Sequence, residues 1–413
     1  MIDGGTPRTA DAPRAGRRVL IYSHDTFGLG HLRRSRTIAN ALIAGDGDAH
    51  VVIVSGSPVA DRYGQTARIA CVPIPPVTKR TDGGYASLDP AVPLARTVET
   101  RRRIIARTAK AFRPDLILVD KEPTGFQAEM MPALEQQAAR GGRIVLGLRD
   151  ILDEPDRLVP EWARKGAAAA VRRLYDEIWI YGVRSIHAPL AALPVADEVA
   201  DRTIYAGYLR RTLARAQAGR VEPDLTRAPF LLVTPGGGGD GGSLIDWVVS
   251  AYEADPGIPL PALIAFGPFL DAADRAGFLA RIARLPGRLA ALDFDAEIER
   301  LIERAAGIVA MGGYNTFCEI LSFDKRAILV PRTTPRREQA IRAGAAGALG
   351  LVRVLLEEDG RAPERMAAAL RALPDQAPPS RVVVPGLLDG LEVIRARFDA
   401  LTDAAPLRRV AGL

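Results

Sequence analysis

Short runs of aliphatic and β-branched residues recur along the chain, and between them lie longer segments whose apolar positions repeat every three to four residues. The first pattern fits strands buried on both faces and the second fits amphipathic helices. Their alternation predicts a parallel α/β architecture. Strands are expected at Arg18–Ser23, His50–Ser55, Arg68–Pro73, Leu116–Asp120, Ile144–Leu148, Glu177–Tyr181 and Arg202–Ala206, with helices at Leu32–Ile43 and Leu94–Phe112. The Pro- and Gly-rich stretch from Pro73 to Pro93 is too long for a simple connection and is expected to be a functional loop.

Near Gly207 the pattern breaks. Leu209–Ala228 is polar and Arg-rich and reads as an interdomain linker. Alternation then resumes, with strands expected at Phe230–Thr234, Ala262–Phe266, Leu289–Leu292, Gly307–Ala310, Ala327–Pro331 and Leu351–Leu355. Helices fit at Leu244–Glu253, Ala296–Ala306 and Pro363–Leu373, and a last amphipathic helix at Leu387–Leu401 follows a Pro-rich break. The expected organisation is two doubly wound halves facing a central cleft: residues 17–215, residues 228–385, and a terminal helix (386–401) available to return to the first half.

Length agrees with this division, since 413 residues exceed the size at which one core keeps growing. Hydrophobic residues at 48% and charged residues at 25% exclude a mostly disordered chain. Two cysteines (Cys71, Cys318), four histidines and no CxxC exclude a disulfide framework and argue against a metal site. No run approaches the roughly 18 apolar residues of a membrane span, and the first sixteen residues lack the apolar core of a signal peptide. A cytoplasmic protein is expected, with room for peripheral contact at the inner face of the membrane. The 55 basic residues include only five lysines, and the net charge is +6. The run Arg101, Arg102, Arg103, Arg107, Lys110, Arg113 reads first as a solvated helix face and second as an attractor of phosphate or anionic lipid. No aromatic–basic platform accompanies it, so nucleic acid is not an expected partner.

In open parallel sheets ligands bind at the carboxyl ends of strands, and three glycine-rich loops sit there. The first contains Gly28, Gly30 and His31 between a strand and a helix. A dinucleotide fingerprint would have a glycine where Arg33 stands and an acid where Ser55-Gly56 stands, so a nicotinamide dehydrogenase is disfavoured. His31 at the mouth of the helix either takes a proton or contacts substrate, or else merely caps and packs. The second loop, Gly236-Gly237-Gly238-Gly239-Asp240-Gly-Gly242, can surround a phosphate with N–H groups but lacks the Gly-Lys-Ser/Thr ending of a P-loop. The third, Gly312-Gly313-Tyr314-Asn315-Thr316, opens a helix in which Glu319 follows one turn on, placed to accept hydrogen bonds from ribose hydroxyls. Two more stretches follow strands: Asp120-Lys121-Glu122 and Arg149-Asp150. Asp120, Asp150 and Arg149 are candidates to orient an acceptor, polarise His31 or act as the base, with helix capping and loop ion pairs as the alternative. Tyr208-Leu-Arg210-Arg211, just before the linker, is a candidate to place a guanidinium near phosphate, with ordinary surface arginines as the alternative.

These loops together resemble the GT-B glycosyltransferases of the family 28 kind, the family of the bacterial enzyme that adds N-acetylglucosamine to lipid I. The likeness extends to a group of bacterial predicted glycosyltransferases. It covers most of residues 17–400 and rests on Gly28-Leu-Gly30-His31, the Gly236–Gly242 loop, and Gly312–Thr316 with Glu319 and Gln339. A glycine replaces the serine of the family's middle loop, so backbone rather than hydroxyl contacts are expected there. The resemblance implies a nucleotide-sugar donor, most commonly a UDP-sugar, held as substrate by the second half with no separate cofactor. Gly312–Thr316 would meet its diphosphate, and Glu338 with Gln339 its sugar. His31 and Gly30 would face a hydroxyl acceptor, lipid-linked or not, of the kind used in cell-envelope or exopolysaccharide synthesis. The expected reaction is metal-independent transfer, with inversion as the first expectation and retention as the alternative. A nucleotide-sugar epimerase or hydrolase of the same fold, or a non-catalytic nucleotide-sugar-binding regulator, is the alternative.

Overall fold

The computed structural model describes residues 16–24, 30–57, 66–80, 84–213, 223–236, 239–267, 270–293, 295 and 297–404. Gly28, Gly237 and Gly238 lie outside the described residues. Two parallel sheets carry the chain. The first holds β1 (Arg18–Ser23), β2 (His50–Ser55), β3 (Ile69–Pro73), β6 (Leu116–Asp120), β7 (Arg143–Arg149), β8 (Glu177–Tyr181) and β9 (Thr203–Tyr205), in the order 3-2-1-6-7-8-9. The second holds β10 (Leu231–Thr234), β11 (Ala262–Ala265), β12 (Leu289–Leu292), β13 (Gly307–Ala310), β14 (Ala327–Leu329) and β15 (Arg353–Val354), in the order 12-11-10-13-14-15. Every residue of β6, β8, β10, β11 and β13 is buried, as strands covered on both faces must be. Each fully buried aliphatic side chain among them stabilises the fold by about 1.5–3 kcal/mol.

The first sheet is flanked by α1 (Gly30–Gly45), α2 (Leu94–Phe112), α3 (Met131–Ala139), α4 (Pro155–Arg164) and α5 (Ala167–Leu174). The second is flanked by α6 (Gly242–Ala254), α7 (Ala272–Ile282), α8 (Ile298–Arg304), α9 (Tyr314–Ser322), α10 (Glu338–Ala348) and α11 (Pro363–Ala372). The last helix, α12 (Gly390–Asp403), lies against the first lobe: Arg397 pairs with Glu177 and Arg17 with Asp399. Its start is close-packed. Gly390 N–H donates to Tyr208 O at 3.3 Å, and a Cβ on Gly390 would stand 2.6 Å from the Gly207 carbonyl oxygen.

Several expectations are corrected. The Pro73–Pro93 stretch is not a plain loop, because Val77–Lys79 (β4) and Tyr85–Ser87 (β5) pair as an antiparallel hairpin packed under α2. Arg101 is not part of a solvated face: it is fully buried, with Nε 2.5 Å and Nη2 2.7 Å from the Glu129 carboxylate and Nη1 donating to Pro75 O. Arg102 and Arg103 do face solvent and share Glu99. Tyr208 and Leu209, at the expected start of the linker, are core residues. No helix among the described residues is long and apolar enough to cross a membrane.

Candidate active site

In each sheet the strand order reverses once beside the first strand, and the carboxyl ends of the two strands flanking that point are where open parallel sheets bind ligands. In the first lobe these are β1 and β6, paired in register with Tyr22 opposite Val119. The chain leaving β1 enters α1 at Gly30-His31, while β6 ends on Asp120. Two residues 89 positions apart therefore meet: His31 Nδ1 lies 2.5 Å from Asp120 Oδ2. In the second lobe the flanking strands are β10 and β13, with Thr234 opposite Ala310. That register sets Pro235-Gly236 beside Met311-Gly312.

Asp120 is buried and accepts from Arg34 on both oxygens, Nη2 lying 2.6 and 2.7 Å away. Burial alone would raise its pKa, but Arg34 and His31 outweigh it and hold the carboxyl well below the usual range. Burial pushes His31 down; Asp120 opposes that shift, while Arg34 and Lys121 add to it. A neutral imidazole with Nδ1–H directed at Asp120 leaves Nε2 as a free base. Lys121 follows with left-handed φ (72°), and burial lowers it to about 8. His24, also buried, stands edge-on to His31 with ring centroids 5.7 Å apart.

Across the seam, Gly312 adopts φ 76°, a conformation open to glycine, and its carbonyl accepts from Arg342 Nη1 at 2.9 Å. Gly313 precedes α9, so the N–H groups of Tyr314, Asn315 and Thr316 have no intrahelical acceptor and carry the positive end of the helix dipole. Asn315 joins the lobes: Nδ2 donates to Gly30 O at 3.3 Å, and Oδ1 accepts from Arg211 Nη2 at 2.7 Å. Two acidic residues of this lobe are held by arginines of the other. Glu319 Oε1 accepts from Arg33 Nη2 at 2.6 Å, and Glu338 Oε2 from Arg149 Nη2 at 2.8 Å. Burial raises Glu319, with Arg33 opposing. For Glu338, burial is overcome by Arg149, Arg342 and Arg332, and the carboxyl sits at about 2. Gln339 Oε1 caps the Arg332 N–H at 3.1 Å.

The structure thus brings together Gly30, His31, Asp120 and Asn315, and links Arg149 to Glu338. Three expectations change. Asp150 is no base at the cleft: it is fully buried, with Oδ2 and Oδ1 each 2.7 Å from Arg342 Nε and Nη2 and Oδ2 also accepting from Tyr208 OH at 2.7 Å. Arg210 is exposed, and its neighbour Arg211 is the guanidinium that reaches the seam. The Tyr314 ring turns into the core against Tyr208, 5.9 Å between centroids, so only its backbone is offered at the helix start. Gly236 is half-buried with φ 92°, and Gly239 is exposed. Sequence reading passed over Arg34 and Arg342. For Arg34 a signal existed, since spacing of three from His31 puts both on one helix face. Among the described residues no group of three His, Cys, Asp or Glu side chains is arranged to hold a metal ion.

No protein-family model matches the chain, and comparison with curated proteins found no match. Solved structures do match. Medicago truncatula UGT71G1 complexed with UDP-glucose superposes with a TM-score of 0.62 at 14% identity, covering 94% of this chain and 98% of that one. CalG4, the calicheamicin glycosyltransferase, gives 0.60 at 17% identity, covering 96% and 100%. MurG of Acinetobacter baumannii gives 0.55 at 12% identity, covering 94% and 100%. The chain has the GT-B fold, two Rossmann-like lobes across a cleft.

Proposed function

We propose that this protein is a glycosyltransferase that moves a sugar from a nucleotide diphosphate sugar, a UDP-sugar in the first instance, to a hydroxyl acceptor. The observation that carries this reading is the His31–Asp120 pair at the start of α1, directly across the seam from the Gly312-Gly313 turn that starts α9. Asp120 accepts a hydrogen bond from His31 Nδ1–H, and His31 Nε2 takes the proton of the acceptor hydroxyl. The acceptor oxygen attacks the anomeric carbon as its bond to the diphosphate breaks, and attack from the opposite face inverts that centre. Charge gathering on the leaving diphosphate is met by the N–H groups that open α9. Those fixed donors carry the load a divalent cation would otherwise carry, so transfer is expected to survive EDTA.

The UDP-glucose bound by the Medicago protein supports the choice of first donor. The acceptor is proposed to be a glycoconjugate precursor, with a lipid-linked form as one class to test. The decisive experiment incubates the protein with UDP-, GDP- and dTDP-sugars, with and without a panel of hydroxyl acceptors, and follows nucleotide diphosphate release and product mass. Acceptor-dependent release with a new glycoside is expected. Release without acceptor product would replace transfer by hydrolysis, and no consumption of any donor would overturn enzymatic function.

A further inference from the structure

One helical turn beyond His31, Arg34 is almost fully buried. Its Nη2 bonds both Asp120 oxygens and Nε adds a third contact at 3.0 Å, while Nη2 also lies 2.8 Å from His31 Nδ1. An ionised carboxylate can only accept, so it is His31 Nδ1 that donates to Asp120 Oδ2, and the guanidinium's contacts to both oxygens hold the carboxylate against rotation. The face of the guanidinium lies 5.6 Å from the Tyr314 ring centroid, in the opposite lobe, and 5.9 Å from that of Tyr181. A guanidinium this desolvated persists only with its partners in place, and one of them, Tyr314, belongs to the opposite lobe.

We propose that Arg34 is a positioning residue acting through Asp120 on His31. It locks the carboxylate that fixes the imidazole's tautomer, disfavours the imidazolium, and ties that arrangement to the donor-side helix through Tyr314. This deepens the reading of His31 as the base and rests on it.

The groups facing His31 are Asp120 and Lys121 at the end of β6, His24 after β1, and Arg34 on its own helix; Arg34 is faced by Asp120, Tyr181 and Tyr314. Arg34 and Lys121 lower the imidazole and Asp120 raises it. Removing Arg34 takes away one lowering influence and leaves Asp120 to His31 alone, so the midpoint must rise.

The test labels the histidines of the full-length chain with ¹⁵N and follows the His31 ring, identified by its loss in His31→Gln, against pH. Arg34→Met is expected to raise the His31 midpoint by about one pH unit. Arg34→Lys, which keeps a cation but not the fork, is expected to give a smaller rise, and it carries the test should Arg34→Met not fold. Tyr314→Leu is expected to raise it by less again. An unchanged midpoint in the folded Arg34 variants overturns the proposal; an unchanged midpoint in Tyr314→Leu overturns the link to the second lobe. The readout needs no donor. Failure of every nucleotide sugar to react would therefore sink the transferase reading alone, and a fixed midpoint would sink the Arg34 proposal alone.

Discussion

Two helices begin at glycine and face each other across the seam, and they work by opposite means. The start of α1 offers a side chain, His31, whose proton affinity is set by its burial and by Asp120, Arg34 and Lys121 packed around it. The start of α9 offers backbone: Tyr314 is turned inward and Asn315 is spent on Gly30 and Arg211, which leaves N–H groups. A proton needs a group whose affinity neighbours can tune, whereas a diphosphate needs fixed dipoles that never ionise. Under the proposed function, the comparison teaches that one cleft separates acid–base work from anion binding by assigning each to a different lobe.

That division can be broken in order of effect. His31→Ala should lower turnover by about 10²–10⁴-fold while thermal stabilisation by UDP-sugars persists. Loss of donor stabilisation in the same variant would end the separation. Arg342→Met leaves Asp150 buried without its cation and should cost about 3–5 kcal/mol in urea unfolding. A variant of undiminished stability would return Asp150 to the list of candidate bases. Gly312→Ala places a Cβ 3.1 Å from Leu329 at left-handed φ and should cost about 1–2 kcal/mol. Because the strain falls at the turn into α9, donor affinity should also weaken while turnover at saturating donor is retained. Equal loss of turnover would mean the α9 start also positions the proton chemistry.

The smallest effect concerns pH. The Glu338 carboxyl sits at about 2 in the folded protein against 4.5 for the free group. Its contribution to stability is complete above pH 4.5 and drains as pH falls toward about 2. Unfolding midpoints of the wild type should therefore fall more steeply than those of Glu338→Gln between pH 4.5 and 3, and parallel slopes would remove the Arg149 link from the seam.

Most of the frame is legible in the sequence because strands buried on both faces must be continuous apolar runs, and β1, β2, β6, β8 and β13 fall where those runs lie. The glycine-rich loops are legible because a backbone turning between strand and helix leaves few alternatives to glycine. What escapes is pairing across long separations. Nothing local distinguishes Arg101, sealed against Glu129, from Arg103, which is solvated, since both sit in one basic run. Asp150 reads as a loop acid until Arg342, 192 residues on, is seen beside it. In a chain this rich in arginine, which guanidiniums are structural is decided by tertiary burial.

The return of α12 to the first lobe has a mechanical consequence. The polypeptide passes between the lobes twice, once after Tyr208 and once before Gly390, and the two passages are stitched together where Tyr208 N–H bonds Leu387 O at 2.8 Å. A single tether would leave the lobes free to twist and slide. A doubled one narrows the relative movements open to them, and the Arg33–Glu319 and Arg149–Glu338 pairs span the same seam.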